Sequence, residues 1–279
     1  MKLRALIITV VVLAALAVGI VFANNADAVF FDTMPWATIV AAGAGLVFGA
    51  IYAMFKDKEY ISQGEVKRHG SGGFAAHWGT GLGIFTLLAS GILLGFLFFP
   101  HIMDTPEKAI FPLNIHFVGV MVALFCGFFF AGDYLLTRDI GKLIPNIPDL
   151  IAGFIAKEML KREWKNEGKY LSSQKGAFLG FAALGALILI TGAVKVAAHM
   201  WAIDADWWSF FTIVHDFTTL LFMAMLFIHI VLVVAMPAHW PLLTSWITGK
   251  ITEEYAEEEH PVWHDELKTG KHRGYKLLG

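Results

Sequence analysis

The sequence predicts an all-α integral membrane protein, a four-helix transmembrane bundle preceded by one or two extra N-terminal transmembrane helices. Three observations carry that prediction. Of the 279 residues, 57% are hydrophobic and only 16% charged, against about 25% charged in soluble domains. Six apolar runs approach or exceed the roughly 20 residues that an α-helix needs to cross a hydrocarbon core about 30 Å thick. Lys and Arg gather in alternate connecting segments, as they do when helices thread a membrane back and forth.

The first run, about 5–23, follows Lys2 and Arg4 and ends on Val21-Phe22-Ala23 before Asn24. That pattern reads either as a signal peptide over 1–23 or as a first transmembrane helix. The second run, about 35–55, makes an extra helix, and with its flanks 24–70 reads as that helix plus a cytoplasmic linker. The runs at about 74–99, 113–136, 176–198 and 210–236 form the four-helix core, assigned to 71–240, and 241–279 is a tail. Gly91 and Gly95 form a G-x-x-x-G in the first core helix, with Gly79, Gly81 and Gly83 upstream. Small residues of this kind let helices approach closely, or make room for a flat cofactor.

Positive charge sets the orientation. Segment 56–70 carries Lys56, Lys58, Lys67 and Arg68, segment 137–175 carries eight Lys and Arg, and the tail adds five more. The opposite loops hold only Lys108. The basic segments are therefore expected in the cytoplasm, with the C-terminus inside. A net charge of −2 leaves no basic surface for nucleic acid. The single cysteine, Cys126, excludes an internal disulfide, and an iron–sulfur cluster or thiolate zinc site built by this chain alone.

Four histidines fall within apolar runs: His77, His116, His215 and His229. An ionisable side chain in hydrocarbon is costly and marks function more often than not. Their depths pair. His77 and His229 lie toward the cytoplasmic ends of their helices, His116 and His215 toward the outer ends. His215 and His229 are 14 residues apart, close to four helical turns, so they share one face about 21 Å apart along the axis. Two b haems stacked across a bilayer need this arrangement, with one helix giving a ligand to each and partner helices giving the others. Two imidazoles leave haem iron no open position, which suits electron carriage rather than oxygen activation. A zinc or copper site would need its ligands at one depth. Lys195 is a candidate contact for a haem propionate, with snorkelling to the interface as the alternative. His101 and His199 are candidates for contact with the outer haem edge; His69, His239, His260, His264 and His272 read as solvent-facing or structural. Asp216, beside His215, would orient a neighbour or pass protons.

At this point the sequence resembles the gamma (cytochrome b) subunit of membrane-bound formate dehydrogenase, over about 70–268. A-A-H-W-G-T-G-L-G-I-F-T-L-L-A-S-G-I-L-L-G-F-L-F-F-P (75–100) is similar to that family's first haem helix, N-I-H-F-V-G (114–119) to its second ligand region, and I-V-H-D-F-T-T-L-L-F-M-A-M-L-F-I-H (213–229) to its fourth helix. G-K-Y-L-S-S-Q-K (168–175) with I-T-G (190–192), and the tail G-K-I-T-E-E-Y-A-E-E-E-H-P-V-W (249–263), are similar as well. The resemblance implies a di-haem core with two haem b, His116 and His215 on the outer iron and His77 and His229 on the inner. It further implies an iron–sulfur subunit as electron donor, a molybdenum or tungsten pterin catalytic subunit beyond it, a higher-order complex, and a multi-pass place in a prokaryotic inner membrane. Menaquinone or ubiquinone would be reduced at the cytoplasmic side, with Gln174 and His229 nearest to it. Leu171 and Ser173 stand where the family carries Asn and Gly, and Tyr255 and Glu259 where members often carry Trp and His.

Two further functions remain open on sequence. Nickel–iron hydrogenases and other respiratory dehydrogenases or reductases use related cytochrome subunits, and a haemless anchor or transporter would use its intramembrane His and Asp216 as a proton or substrate path. Nothing in the chain forms a substrate-oxidising site of its own.

Overall fold

The computed structural model describes residues 2–95, 105–160, 162 and 164–270. His101 lies outside the described residues, as does the side chain of His199. Six helices are long and apolar enough to cross a membrane. Two come first: α1 (Lys2–Asn24) and, after the short α2 (Phe30–Thr33), α3 (Trp36–Phe55). The core follows as α4 (Ser71–Leu94), α5 (Pro106–Leu136), α7 (Ser172–Met200) and α8 (Ala205–Ala235), with the short α6 (Ile140–Leu143) between α5 and α7. The protein is thus a multi-pass, all-α membrane protein with two helices ahead of the four-helix core.

The core helices start one or two turns earlier than their apolar runs suggest, because polar residues supply the first turn. Pro106 opens α5 at the first helical position, where its missing N–H would be unpaired anyway. At α7, Glu167 accepts the Ser172 backbone N–H at 2.8 Å, while Gln174 accepts that of Leu171 at 3.1 Å. At α8 the Asp204 carboxylate accepts from the Asp206 N–H at 2.9 Å.

Helix packing follows the small residues. Along α3 the buried positions are Ala37, Ala41, Gly45 and Gly49, one every four residues. A Cβ at Gly45 or Gly49 would collide with the α5 backbone at Phe125 or Phe129, and one at Gly132 with α3 at Leu46. This is close backbone packing of the kind that associates helices in lipid. On α4, Gly79 and Gly83 do the same against Cys126 and Ala123 of α5. By contrast, Gly81 and Gly91 meet nothing within 4 Å. Helix α1 packs on α5 and α4, with Gly19 against Val118.

The core is two helix pairs rather than a closed bundle. Helices α4 and α5 pack along their lengths, and so do α7 and α8, but the backbones of one pair scarcely approach those of the other. The space between them is the site described below.

At the basic end the polar segments fold together. Strands β1 (Ile61–Ser62) and β2 (Glu65–Lys67) form a hairpin, and β3 (Lys250–Thr252) from the tail pairs antiparallel with β2. Before β3, α9 (Trp240–Thr248) leads out of the core; after it come α10 (Glu253–Glu259) and α11 (Pro261–Thr269). Val66, Ile251, Ala256 and Trp263 make a small core of their own. The linker and tail, separate polar segments in the sequence, are therefore one folded cap. Lys169 ties to Glu59 at 2.5 Å, and Trp263 donates to the same carboxylate at 2.7 Å. Burial raises the Glu59 carboxyl, but Lys169 and Lys142 pull harder and hold it below its ordinary value. Burial likewise lowers the Lys169 ammonium, and Glu59 more than reverses it.

Candidate functional site

Between the two helix pairs lies a cavity of about 2170 Å³, more than twice the roughly 1,000 Å³ upper end of ordinary small-molecule sites. It runs along all four core helices and reaches α1 and α9. All four intramembrane histidines line it. His77 lies within electrostatic range of His229, and His116 within range of His215. The structure therefore brings the four together two by two, one pair toward each end.

The pair at the end away from the basic cap, His116 and His215, expected from the charge pattern to be the outer one, is held by hydroxyls. His116 Nδ1 is 2.9 Å from Ser90 Oγ, and His215 Nδ1 is 2.9 Å from Thr191 Oγ1. Ser90 donates its proton to the Thr86 carbonyl at 2.8 Å, and Thr191 to the Leu187 carbonyl at 2.8 Å. A hydroxyl has one proton. With that proton given to the helix, each oxygen accepts from the ring, so both histidines carry their proton on Nδ1. Each ring also hydrogen-bonds the backbone, at Leu87 and Ile188 respectively. The Nε2 lone pairs are thereby left for a metal, the usual second-shell logic of a ligating histidine.

The inner pair is held by aromatic rings. His77 stacks on Trp246 with centroids 4.3 Å apart and planes 10° from parallel, and Trp78 stands edge-on to it at 5.3 Å. His69 stacks on Trp246 as well, at 3.9 Å. His229 meets the Phe181 ring edge-on at 5.6 Å. His69, His260 and His264 are all buried in the cap, so they are structural and not solvent-facing. Burial, followed by the nearby Arg68, keeps the His69 imidazole well below its ordinary value and hence neutral.

Of the other sequence candidates, Lys195 lines the outer part of the cavity, its Nζ 5.7 Å from the centre of the Trp208 ring, with Asp216 within electrostatic range. Gln174 lines the basic end, but its Oε1 is already occupied by Leu171 N–H and by Arg68 Nη2, each at 3.1 Å. Only its amide N–H groups remain for a ligand. Four participants were not singled out on sequence: Ser90, Thr191, Trp246 and Arg68. A polar residue 26 positions from His116 or 24 from His215 carries no local signal; only the apolar setting of Ser90 and Thr191 marks them.

Haem fits this site on three observations. The outer imidazoles have Nδ1 fixed and Nε2 free. Among the described residues no three His, Cys, Asp or Glu side chains cluster as ligands for a bare ion, so pairs are what the chain offers. The walls carry glycines, Gly81 and Gly91 on α4, Gly127 on α5 and Gly185 on α7, that line the cavity with nothing within 4 Å of an added Cβ. Side chains there would fill the space a flat macrocycle needs. Residues 68–249, well over half of the chain, match the family described as prokaryotic cytochrome b561. No curated protein matches the chain.

Proposed function

The chain belongs to the prokaryotic cytochrome b561 family, and from that premise we propose that it is the membrane-anchor cytochrome b subunit of a formate dehydrogenase. Haem b supplies one-electron carriage when bound, here between an iron–sulfur partner on the outer side and membrane quinone on the basic, cytoplasmic side. The single observation that carries the reading is the cavity between two helix pairs with a histidine pair toward each end.

This chain's residues bind, orient and insulate. His116 and His215 would hold the outer iron and His77 and His229 the inner one. Ser90 and Thr191 fix the outer imidazole planes, and the Trp246 stack fixes His77. Apolar walls exclude water, and ligation by two imidazoles would leave the iron no open position. At the basic end Gln174 offers donors to a quinone oxygen, and the Tyr134 and Tyr170 hydroxyls, hydrogen-bonded to each other on the cavity wall, offer a proton. The formate dehydrogenase partner is supported by the likeness of 75–100, 213–229 and 249–263 to that family's gamma subunits.

The test is haem content. The chain purified in detergent should give a pyridine haemochrome spectrum of b type with two haems per polypeptide. A well-folded chain without haem would instead be an anchor or transporter. Copurification from membranes with an iron–sulfur and a molybdenum- or tungsten-containing subunit that oxidises formate would support the partner. A hydrogenase in their place would overturn it.

A further inference from the structure

We propose that Arg68 is the anchor for an oxyanion at the basic end of the cavity, a propionate carboxylate of the inner macrocycle. The inference rests on the cytochrome reading above.

Arg68 is only 2% exposed and lines the cavity. It is fixed from three directions. Nη1 donates to Ser245 Oγ at 3.2 Å, and Nη2 to the Lys169 carbonyl and Gln174 Oε1, each at 3.1 Å. Its backbone N–H is tied to the Gly249 carbonyl at 2.8 Å. Every one of these acceptors is neutral. A guanidinium has five N–H donors; three are used, and Nε has no partner among the described residues.

The carboxylate among the groups that act on Arg68 is Glu59, which already holds Lys169 at 2.5 Å. His69 is neutral, and Tyr170, Tyr255 and Tyr134 are the other groups that act on the guanidinium. Lys169 thus has Glu59, with Asp139 also in range, while no carboxylate is bonded to Arg68 among the described residues. An unpaired buried charge is costly, and natural structures pair it. Along the described cavity wall the only Lys or Arg side chains are Arg68 and Lys195, and the only acid is Asp216, which lies within range of Lys195. On that wall Arg68 has no such companion, since Glu59, the acid in range of it, is not among the lining residues. It sits on the side of Trp246 and His77: Ser245, its partner, precedes Trp246, whose ring stacks on His77. A planar fork with free donors beside an imidazole pair suits a carboxylate.

The test is a spectropotentiometric titration of both haems in the detergent-purified chain, stripped of quinone, for wild type, Arg68→Gln and Arg68→Lys. Losing the guanidinium exposes a negative carboxylate beside the inner iron and favours its ferric form. At a fixed potential the ferrous-to-ferric ratio of the inner haem should fall about tenfold in Arg68→Gln, which for one electron is about 59 mV. Arg68→Lys keeps the charge but not the fork, so a smaller fall is expected. The outer haem, the internal control, should not move. Should Arg68→Gln fail to fold, Arg68→Lys alone decides, and an unmoved inner midpoint overturns the proposal. So does a result in which midpoints stay put while KM for quinol rises several-fold, since the oxyanion is then the quinone's. A wild-type chain that folds without haem overturns the cytochrome reading itself, and is distinguishable at the first spectrum.

Discussion

Thr191→Val isolates the hydroxyl that fixes the outer imidazole. Valine keeps the branching and nearly the volume of a side chain that is 1% exposed, so packing around Gly192 and His215 is retained. What is lost is the 2.9 Å bond to His215 Nδ1. A neutral hydrogen bond is worth about 0.5–1.5 kcal/mol net, and an unsatisfied buried N–H costs about 1–3 kcal/mol more. Here the Ile188 backbone still accepts from the ring, which keeps the loss near the low end. About 1.4 kcal/mol, or tenfold in haem affinity, is therefore expected, at the bottom of the range for second-shell partners of metal-bound histidine. The assay is the rate of haem transfer to excess apomyoglobin, followed at the Soret band. One of two haems should leave about tenfold faster, and the midpoint of that haem should rise, because the ring loses an acceptor that made it more basic. Ser90→Ala should do the same through His116. Transfer rates and midpoints equal to wild type in both variants would refute the hydroxyl-fixed orientation.

Gly49→Leu should separate α3 from α5, since even a Cβ there collides with Phe129 backbone; cysteine cross-linking between the two helices should fall sharply while the spectrum of bound haem survives. Asn114 is fully buried and holds Phe30 N–H at 2.7 Å and the Ala28 carbonyl at 3.0 Å, so Asn114→Ala should raise hydrogen exchange across 25–35 by the loss of about two bonds, roughly 1–3 kcal/mol. The cap should respond to pH at both extremes. Glu59 sits below its ordinary 4.5, so its contribution is present above that value and lost as pH falls through the folded one; Lys169 sits above its ordinary 10.5, so its contribution is full below that value and lost as pH rises further. Limited proteolysis of the tail should therefore be slow across neutral pH and accelerate in acid, and Glu59→Gln should abolish the acid-side change.

The helices were legible in the sequence because lipid imposes a length and a polarity that local composition records. That His77, His116, His215 and His229 line one cavity at two levels was legible because helical rise converts positions into depths. Helix starts were less so: Glu167, Gln174 and Asp204 extend helices into polar residues that hydropathy reads as loop. The cap was not legible, because β2 and β3 pair across more than 180 residues and each is three residues long. Nor were Ser90 and Thr191, whose role exists only once neighbouring helices set a hydroxyl against a ring. Arg68 looked like one more orienting charge until its burial, and the neutrality of its partners, set it apart from the lysines around it.

The most direct test of the account is haem stoichiometry in single and paired histidine variants. His116→Ala and His215→Ala should each leave one haem, and together should still leave one, the same inner haem. His116→Ala with His77→Ala should leave none. If the His116 and His215 losses fall on different haems, so that the double variant has none, the pairing across the two helix hairpins is wrong.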